Sequence, residues 1–463
     1  MIEYKQTHKQ PGSPSVFKRL SENPILLMVA FFSSIGGFLF GYDQGVISSI
    51  QEMESFRARF PMTSTENGLV VSILELGAWL GSYFIGAIAD KISRKYSILV
   101  ALVIFLIGSA LQTGAQQVLH LILGRFIGGV GIGSLSLLGP LPRWLMQAGR
   151  EKDAHLVLVR LRGHVDVDSE WKEIKAMTVF ERQIEEQQFL KFKIKEELAN
   201  RSHLQSAKLW CQKEYLRYSN VLRQGMWKRV LVGSTIMFFQ QMMGINAVIY
   251  YAPFIINGVG ITGSSVKLLA TGVIGVVMVL CCIPTVLLLD RLGRRWVLLF
   301  GGTIITLSML TVGIFSTLFS QTWPQHMTEG WACVAIIYVY CGIFAFSWGP
   351  VAWLIPSEIF PLRVRAKAMA ITSSSHWMNN FIIGFITPSL LERSPSAMYY
   401  MFAGFGVTAV AFVYFFLPET KGASLEEIDL LLGGGMARED DELLEQIRRQ
   451  IDDLEIAQGS SKA

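Results

Sequence analysis

Long apolar runs alternate with short polar joints along this chain, and the runs are too long for the elements of an ordinary soluble core. A bilayer crossing takes about 20 mostly apolar residues. Ten runs fit: 24–48, 67–89, 96–115, 118–140, 229–252, 267–289, 296–318, 331–355, 368–390 and 397–417. The pattern predicts an all-α, polytopic membrane protein. Between the fourth and fifth runs, 143–228 is polar, with Lys, Arg and Glu at helical spacing. Beyond 417 the chain is polar again, and 438–456 predicts an acidic amphipathic helix, taken as a solvated tail in preference to a docked element. The expected organisation is a tail over 1–23, a four-span bundle over 24–140, a helical linker over 141–228, a six-span bundle over 229–417 and a second tail over 418–463.

Composition agrees with a membrane setting. Of 463 residues, 51% are hydrophobic and 17% charged, against about 25% charged in soluble domains. The net charge of +5 is small and localised. Lys5, Lys9, Lys18 and Arg19, then Lys91, Arg94 and Lys95, then Arg291, Arg294 and Arg295, then Arg363, Arg365 and Lys367 all fall on one side if ten spans are counted. Loops 253–266 and 319–330, on the other side, contain no Lys or Arg, and only 49–66 breaks the trend, with Arg57 and Arg59 balanced by Glu52, Glu54 and Glu66. The positive-inside rule then places both termini and the linker in the cytoplasm. The sequon Asn200-Arg201-Ser202 faces the wrong compartment for glycosylation. Basic residues of the linker alternate with Glu and lack interleaved aromatics, which argues against nucleic acid. Five cysteines without a CxxC pair give no metal or disulfide framework. With no nucleophile–base pair or phosphate loop either, neither an enzyme nor a cofactor is expected.

One joint occurs twice. Gly86-x3-Asp90-Lys91-x2-Arg94-Lys95 follows the second run, and Asp290-Arg291-Leu292-Gly293-Arg294-Arg295 follows the sixth. Each sets a carboxylate at a helix end before a tight cationic turn, an arrangement suited to clamping neighbouring helices. Two copies between consecutive spans suggest two homologous halves, with a substrate site between them. Polar groups inside the spans point the same way. Gln240, Gln241 and Asn246 lie within two turns of one helix, and amides both donate and accept, as sugar hydroxyls do. The alternative for them is interhelical hydrogen bonding. Glycines Gly124, Gly128, Gly129 and Gly133 repeat at small-xxx-small spacing, which serves close helix packing and not a dinucleotide.

In order along the chain come Phe40-Gly41-Tyr42-Asp43, the 86–95 joint, Gly124-Arg125, Pro142-Arg143-Trp144-Leu145, Gln240-Gln241-x2-Gly244-Ile245-Asn246-x3-Tyr250-Tyr251, the 290–295 joint, Gly349-Pro350-x2-Trp353, Ser357-Glu358-Ile359-Phe360-Pro361 and Pro418-Glu419-Thr420-Lys421-Gly422. By this ordered set the chain resembles the sugar-porter branch of the major facilitator superfamily, most like fungal monosaccharide transporters. The resemblance covers about 20 to 430. It implies a fold of two helical bundles, a place in the plasma membrane, and transport of a hexose or pentose by alternating access, with protons as a second substrate if the porter is a symporter; quinate or a polyol is the alternative substrate.

By the same resemblance Gln240, Gln241, Asn246, Tyr250, Trp353, His376, Gly349, Phe40 and Phe344, with Tyr340, line the sugar site. Trp353 can stack on a pyranose or pack at the Gly-Pro break. His376 can contact substrate or bridge helices as a neutral ring. Asp43 and Arg125 match the proton-coupling pair, the alternative being a structural ion pair. Asp90, Arg94, Asp290, Arg294, Arg295, Glu358, Arg365 and Glu419 match inner-gate salt bridges, with Glu358 expected on Arg294 or Arg295 and Glu419 on Arg365; surface snorkelling is the alternative.

The chain also departs from the family. Relatives place two further helices between Gly-Arg of the fourth span and Pro-Arg-Trp-Leu, but here only 17 positions separate Arg125 from Pro142. Ser93 stands where the joint usually has Gly. The N-terminal bundle is expected to be incomplete, with about ten spans in place of twelve and the gap near Gly139 to Pro142. Two functions follow: a sugar transporter, or a transport-inactive, receptor-like or regulatory homologue. The sequence leaves the oligomeric state open.

Overall fold

The computed structural model describes residues 24–92, 94–135, 146, 151–162, 167–191, parts of 211–222, 226–261, 263–361, 364–423, 427–428 and 436–460. Among them the chain is helical and contains no strand. In the N-terminal half, α1 is Pro24–Ile50, α2 Glu54–Arg59, α3 Ser64–Ile92, α4 Arg94–Thr113 and α5 Val118–Leu135. Helices α6 (Glu151–Arg162) and α7 (Asp168–Lys191) fall in the linker. The C-terminal half contains α8 (Met226–Met242), α9 (Ile245–Gly258), α10 (Ser264–Leu292), α11 (Arg294–Phe319), α12 (Met327–Phe346), α13 (Trp348–Ile359), α14 (Arg365–Arg393) and α15 (Pro395–Phe416), and α16 is Met436–Ser460.

All ten apolar runs are helical over most of their described residues. Six helical segments among the described residues are long and apolar enough to cross a membrane: Tyr96–Thr113, Met226–Gly258, Ser265–Leu292, Arg294–Phe319, Met327–Ile359 and Pro395–Phe416. The apolar part of α5, Val118–Ser134, is shorter. Helix α14 is long enough but carries the polar stretch from Thr372 to Asn380. That stretch is mostly buried against other helices, where polar side chains at membrane depth find partners.

Two of the ten runs are broken helices. The run at 229–252 is α8 and α9, parted at Gly244, whose φ is 91°. A non-glycine residue there would be strained, and its Cβ would meet the Phe402 ring. The run at 331–355 is α12 and α13, parted at Ser347 just before Gly349-Pro350. Pro350 has no N–H for the Phe346 carbonyl one turn earlier. Thr285 of α10 supplies the missing donor, its hydroxyl lying 2.8 Å from Phe346 O. Pro388 likewise frees Gly384 O, and the Tyr251 hydroxyl donates to it at 2.8 Å. Tyr340 donates to Met243 O, at the α8–α9 break, at 2.9 Å. In lipid such repairs are what make interrupted helices tolerable.

Helix α3 packs on α5 within the N-terminal half and on α14 across the molecule. Gly129 and Gly133 bring α5 against the carbonyls of Leu74 and Ala78, leaving no room for a Cβ. A capping box starts α3: Thr63 N–H donates to Glu66 Oε2 at 2.8 Å, and Glu66 N–H to Thr63 Oγ1 at 3.3 Å. The Thr63 N–H and the Thr63 hydroxyl, which donates to the same oxygen at 2.9 Å, hold the Glu66 carboxyl below the usual carboxylate range.

The expected solvated tail is corrected. Helix α16 docks on α7, with Leu444, Ile447 and Ile451 buried against Ala176, Phe180 and Ile184. Lys172–Asp452 at 2.8 Å and Arg448–Glu173 at 3.8 Å flank the seam. An amphipathic pattern identifies the apolar stripe but not what covers it; α7 carries the matching stripe.

The two long apolar segments differ sharply in cover. Of the most apolar window of α8–α9, 72% is buried, but of that of α10 only 11%. Leu269, Val276, Val279, Leu280, Ile283 and Val286 of α10 all point outward.

Candidate substrate site

The helix breaks create the site. Where α12 meets α13, the carbonyls of Trp348 and Gly349 turn toward α8, and Gln240 Nε2 donates to both, at 3.1 and 3.0 Å. Its amide oxygen faces His376 of α14, with Oε1 2.9 Å from Nδ1. An amide oxygen only accepts, so this pair requires the proton on Nδ1. Gln241 Nε2 lies beside both ring nitrogens, 3.0 Å from Nδ1 and 3.3 Å from Nε2, and with the proton on Nδ1 only Nε2 can accept from it. Gln241 Oε1 in turn accepts from Asn246 Nδ2 at 2.8 Å across the Gly244 break. The Trp353 ring lies 4.6 Å from the His376 ring, and Trp377 lies edge-on to both His376 and Phe40.

The structure thus joins Gln240, Gln241, Asn246, His376, Trp353 and Gly349 in one buried polar network between broken helices. Phe40 approaches it from α1 through Trp377, and Phe344 packs beside Tyr340, ring centroids 6.5 Å apart. Tyr250 lies in a neighbouring cluster, its hydroxyl 2.5 Å from Glu75 Oε1, 2.9 Å from Gln44 Nε2 and 3.3 Å from Asn380 Oδ1. Sequence reasoning did not single out Glu75, Gln44 or Asn380. The available signal was the lone acid in the apolar run 67–89.

Asp43 and Arg125 meet as expected, Arg125 Nη1 lying 3.2 Å from Asp43 Oδ2. The contact is ionic and not an aligned hydrogen bond, since that oxygen has no hydrogen-bond partner. Arg125 also donates to Val71 O at 3.2 Å.

At the basic end of the molecule, Arg294 bonds Glu358 at 2.9 Å and Asp290 at 3.0 Å. Glu358 also accepts from Thr420. Arg294 is thus the one of the two expected arginines that pairs with Glu358, and Arg295 reaches the carbonyl of Tyr414. Glu419 differs from expectation. It accepts from the backbone N–H groups of Arg294 and Arg295, at 2.9 and 3.1 Å, and so caps the start of α11, where free N–H groups attract an anion. Arg365 donates to Phe360 O at 3.1 Å. The side chains of Asp90 and Arg94 lie outside the described residues.

At the opposite, Lys/Arg-poor end the two halves touch. Lys267 bonds Glu52 at 2.8 Å, Ser64 bonds Glu392, and the Arg57 guanidinium sits 5.2 Å over Phe254. Two cavities of about 320 Å³ open at this seam, both bordered by Ser64, Asn67 and Phe254. They lie toward the mouth, apart from the Gln240–His376 network.

A family model described as "Sugar (and other) transporter" matches the chain over residues 29–141 and 142–432. The break between the two pieces falls where the sequence places its missing helices. The low-affinity glucose transporter HXT3 of Saccharomyces cerevisiae is 28% identical, over 89% of this chain and 82% of its own length. That alignment runs over 476 positions, longer than the 463-residue chain although only 89% of the chain takes part, so it includes residues of the relative with no counterpart here. The high glucose sensor RGT2 of the same yeast is 29% identical, over 89% of this chain and 61% of its own length. Among solved structures, the xylose transporter XylE from E. coli in a partially occluded inward-open conformation matches with a TM-score of 0.65 at 21% identity, over 86% of this chain and 99% of that one. The proton:xylose symporter XylE bound to 6-bromo-6-deoxy-D-glucose matches with a TM-score of 0.63 at 22% identity, over 88% and 99%. These likenesses establish the major facilitator fold.

Proposed function

Since the chain belongs to the sugar (and other) transporter family, we propose that it binds a monosaccharide, a hexose or pentose, at the Gln240–Gln241–Asn246–His376 network and carries it by alternating access, with proton symport through Asp43 and Arg125. The observation that carries this reading is the chain of amides and imidazole held by two broken helices. Each member both donates and accepts, so a sugar hydroxyl can replace one internal bond without leaving its partner unsatisfied. Trp353, tilted against His376, offers the apolar face a pyranose needs. The contacts at Glu52–Lys267 and Ser64–Glu392 keep the Lys/Arg-poor end shut. With both termini cytoplasmic in the plasma membrane, this is an outward-closed state, and the Arg294–Glu358 and Glu419 contacts at the other end bias the equilibrium between states.

One observation favours a second reading. The chain lacks a block of residues present in its relatives, and α10 is left almost uncovered. A protein in that condition can retain sugar binding while losing transport, as a regulatory homologue. Proteoliposomes containing the purified chain separate the two. Saturable uptake of radiolabelled glucose or xylose, not matched by quinate, supports transport. Saturable binding without uptake supports the regulatory reading. Absence of both overturns the sugar site.

A further inference from the structure

We propose that Glu75 is a proton-binding site at the seam between the two helical halves, and that its proton secures the halves at Tyr250. The site stands on geometry; only its part in transport rests on the alternating-access reading.

Glu75 sits in the middle stretch of α3 and is 1% exposed. Its Oε1 lies 2.5 Å from Tyr250 Oη and 3.3 Å from Gln44 Nε2, and its Oε2 has no hydrogen-bond partner. The groups around it come from every helix packed there: Asp43 and Gln44 from α1, Arg125 from α5, Tyr250 from α9 and Asn380 from α14. His376, also on α14, is engaged with Gln240 and Gln241. The cluster therefore contains two carboxylates and one guanidinium. Asp43 takes the guanidinium at 3.2 Å. With both acids ionised, a net negative charge would remain inside the spans, where uncompensated charge is expensive. One proton removes it, and Glu75 is the acid without an ion partner in contact.

The hydrogen bonds close only with that proton in place. Protonated, Glu75 donates to Tyr250 Oη, which also accepts from Gln44 Nε2 at 2.9 Å and donates to Asn380 Oδ1 at 3.3 Å. Ionised, Glu75 draws the phenol O–H toward itself, and Asn380 Oδ1 loses its donor. Asn380 Nδ2 is already without a partner, so the amide would then be bare at both ends, a buried cost of about 1–3 kcal/mol by the usual penalty for an unmade bond. Glu75 belongs to the N-terminal half, and Tyr250 and Asn380 to the C-terminal half. Proton binding and closure are thus linked: the proton favours joined halves, and separation admits water and releases it.

Infrared difference spectra of the full chain in lipid nanodiscs, stepped from mildly acid to mildly alkaline buffer, test this without requiring transport. A buried carboxylic-acid C=O band is expected to persist at neutral pH, to vanish in Glu75→Gln, and to shift to higher frequency in Tyr250→Phe, which removes its hydrogen-bond partner. A wild-type chain without the band, a band that survives Glu75→Gln, or a band unmoved by Tyr250→Phe overturns the proposal. If Glu75→Gln does not fold, the Tyr250→Phe shift still decides. The expected band together with absent uptake leaves the proton site standing and refutes the transport reading. Uptake with equal pH sensitivity in wild type and Glu75→Gln does the reverse.

Discussion

At the scale of single residues, the strongest constraints come from backbone groups that proline and glycine leave unpaired. Tyr251 answers the carbonyl freed by Pro388, and Thr285 the one freed by Pro350. Tyr251→Phe keeps the ring and removes the donor. It is expected to cost about 1–3 kcal/mol, as for any buried carbonyl left unmet, seen as a lower midpoint in thermal unfolding of the detergent-solubilised chain; an unchanged midpoint would mean the bond contributes nothing. Gly244→Ala is expected to lose about 1–2 kcal/mol from the left-handed backbone alone, and more from contact with Phe402. Asp43→Asn removes the carboxylate that faces Arg125. Uphill sugar uptake is expected to disappear while exchange persists; undiminished accumulation would sink the coupling role. Much of this was legible from the sequence. The Gln-Gln, Gly-Pro and Asp/Arg residues announce themselves as polar or helix-breaking groups inside apolar runs. Glu75 was not singled out, because one acid in an apolar run does not name a partner 175 positions away.

At the scale of elements, the apolar runs coincide with helices over most of their described length, but their pattern could not show that two of them are bent in the middle until the Gly244 and Ser347 geometries were seen. It also could not say what an amphipathic surface helix covers. Helix α16 has its apolar stripe against α7, so Ile447→Asp should release it. Limited proteolysis is expected to cleave the tail faster in this variant, with sugar binding unaltered. Equal cleavage rates would mean that the two helices do not hold each other. Glu419 illustrates another limit: charge complementarity suggested a partner arginine, but the N–H groups at the start of α11 compete for a carboxylate just as well.

At the scale of the molecule, the halves meet through α3 on α14 and α1 on α9. The network for substrate lies wholly on C-terminal helices, α8, α9, α13 and α14, and the acid–arginine cluster lies mostly on N-terminal ones. On the proposed function, the residues that would read a sugar therefore lie outside the N-terminal helices, where the sequence places its missing pair. The missing block was visible in the sequence as a spacing, Arg125 to Pro142, and the two-piece family match falls on the same junction.

The central claim is that the Gln240–Gln241–Asn246–His376 network recognises a monosaccharide. Equilibrium binding of radiolabelled glucose and xylose to the purified chain, set beside Gln241→Ala, tests it most directly. Saturable binding that weakens about ten- to a hundredfold in the variant is expected, corresponding to about 1.4–2.7 kcal/mol of lost hydrogen bonding. Saturable binding of equal strength in Gln241→Ala, or no binding to the unaltered chain, would contradict it.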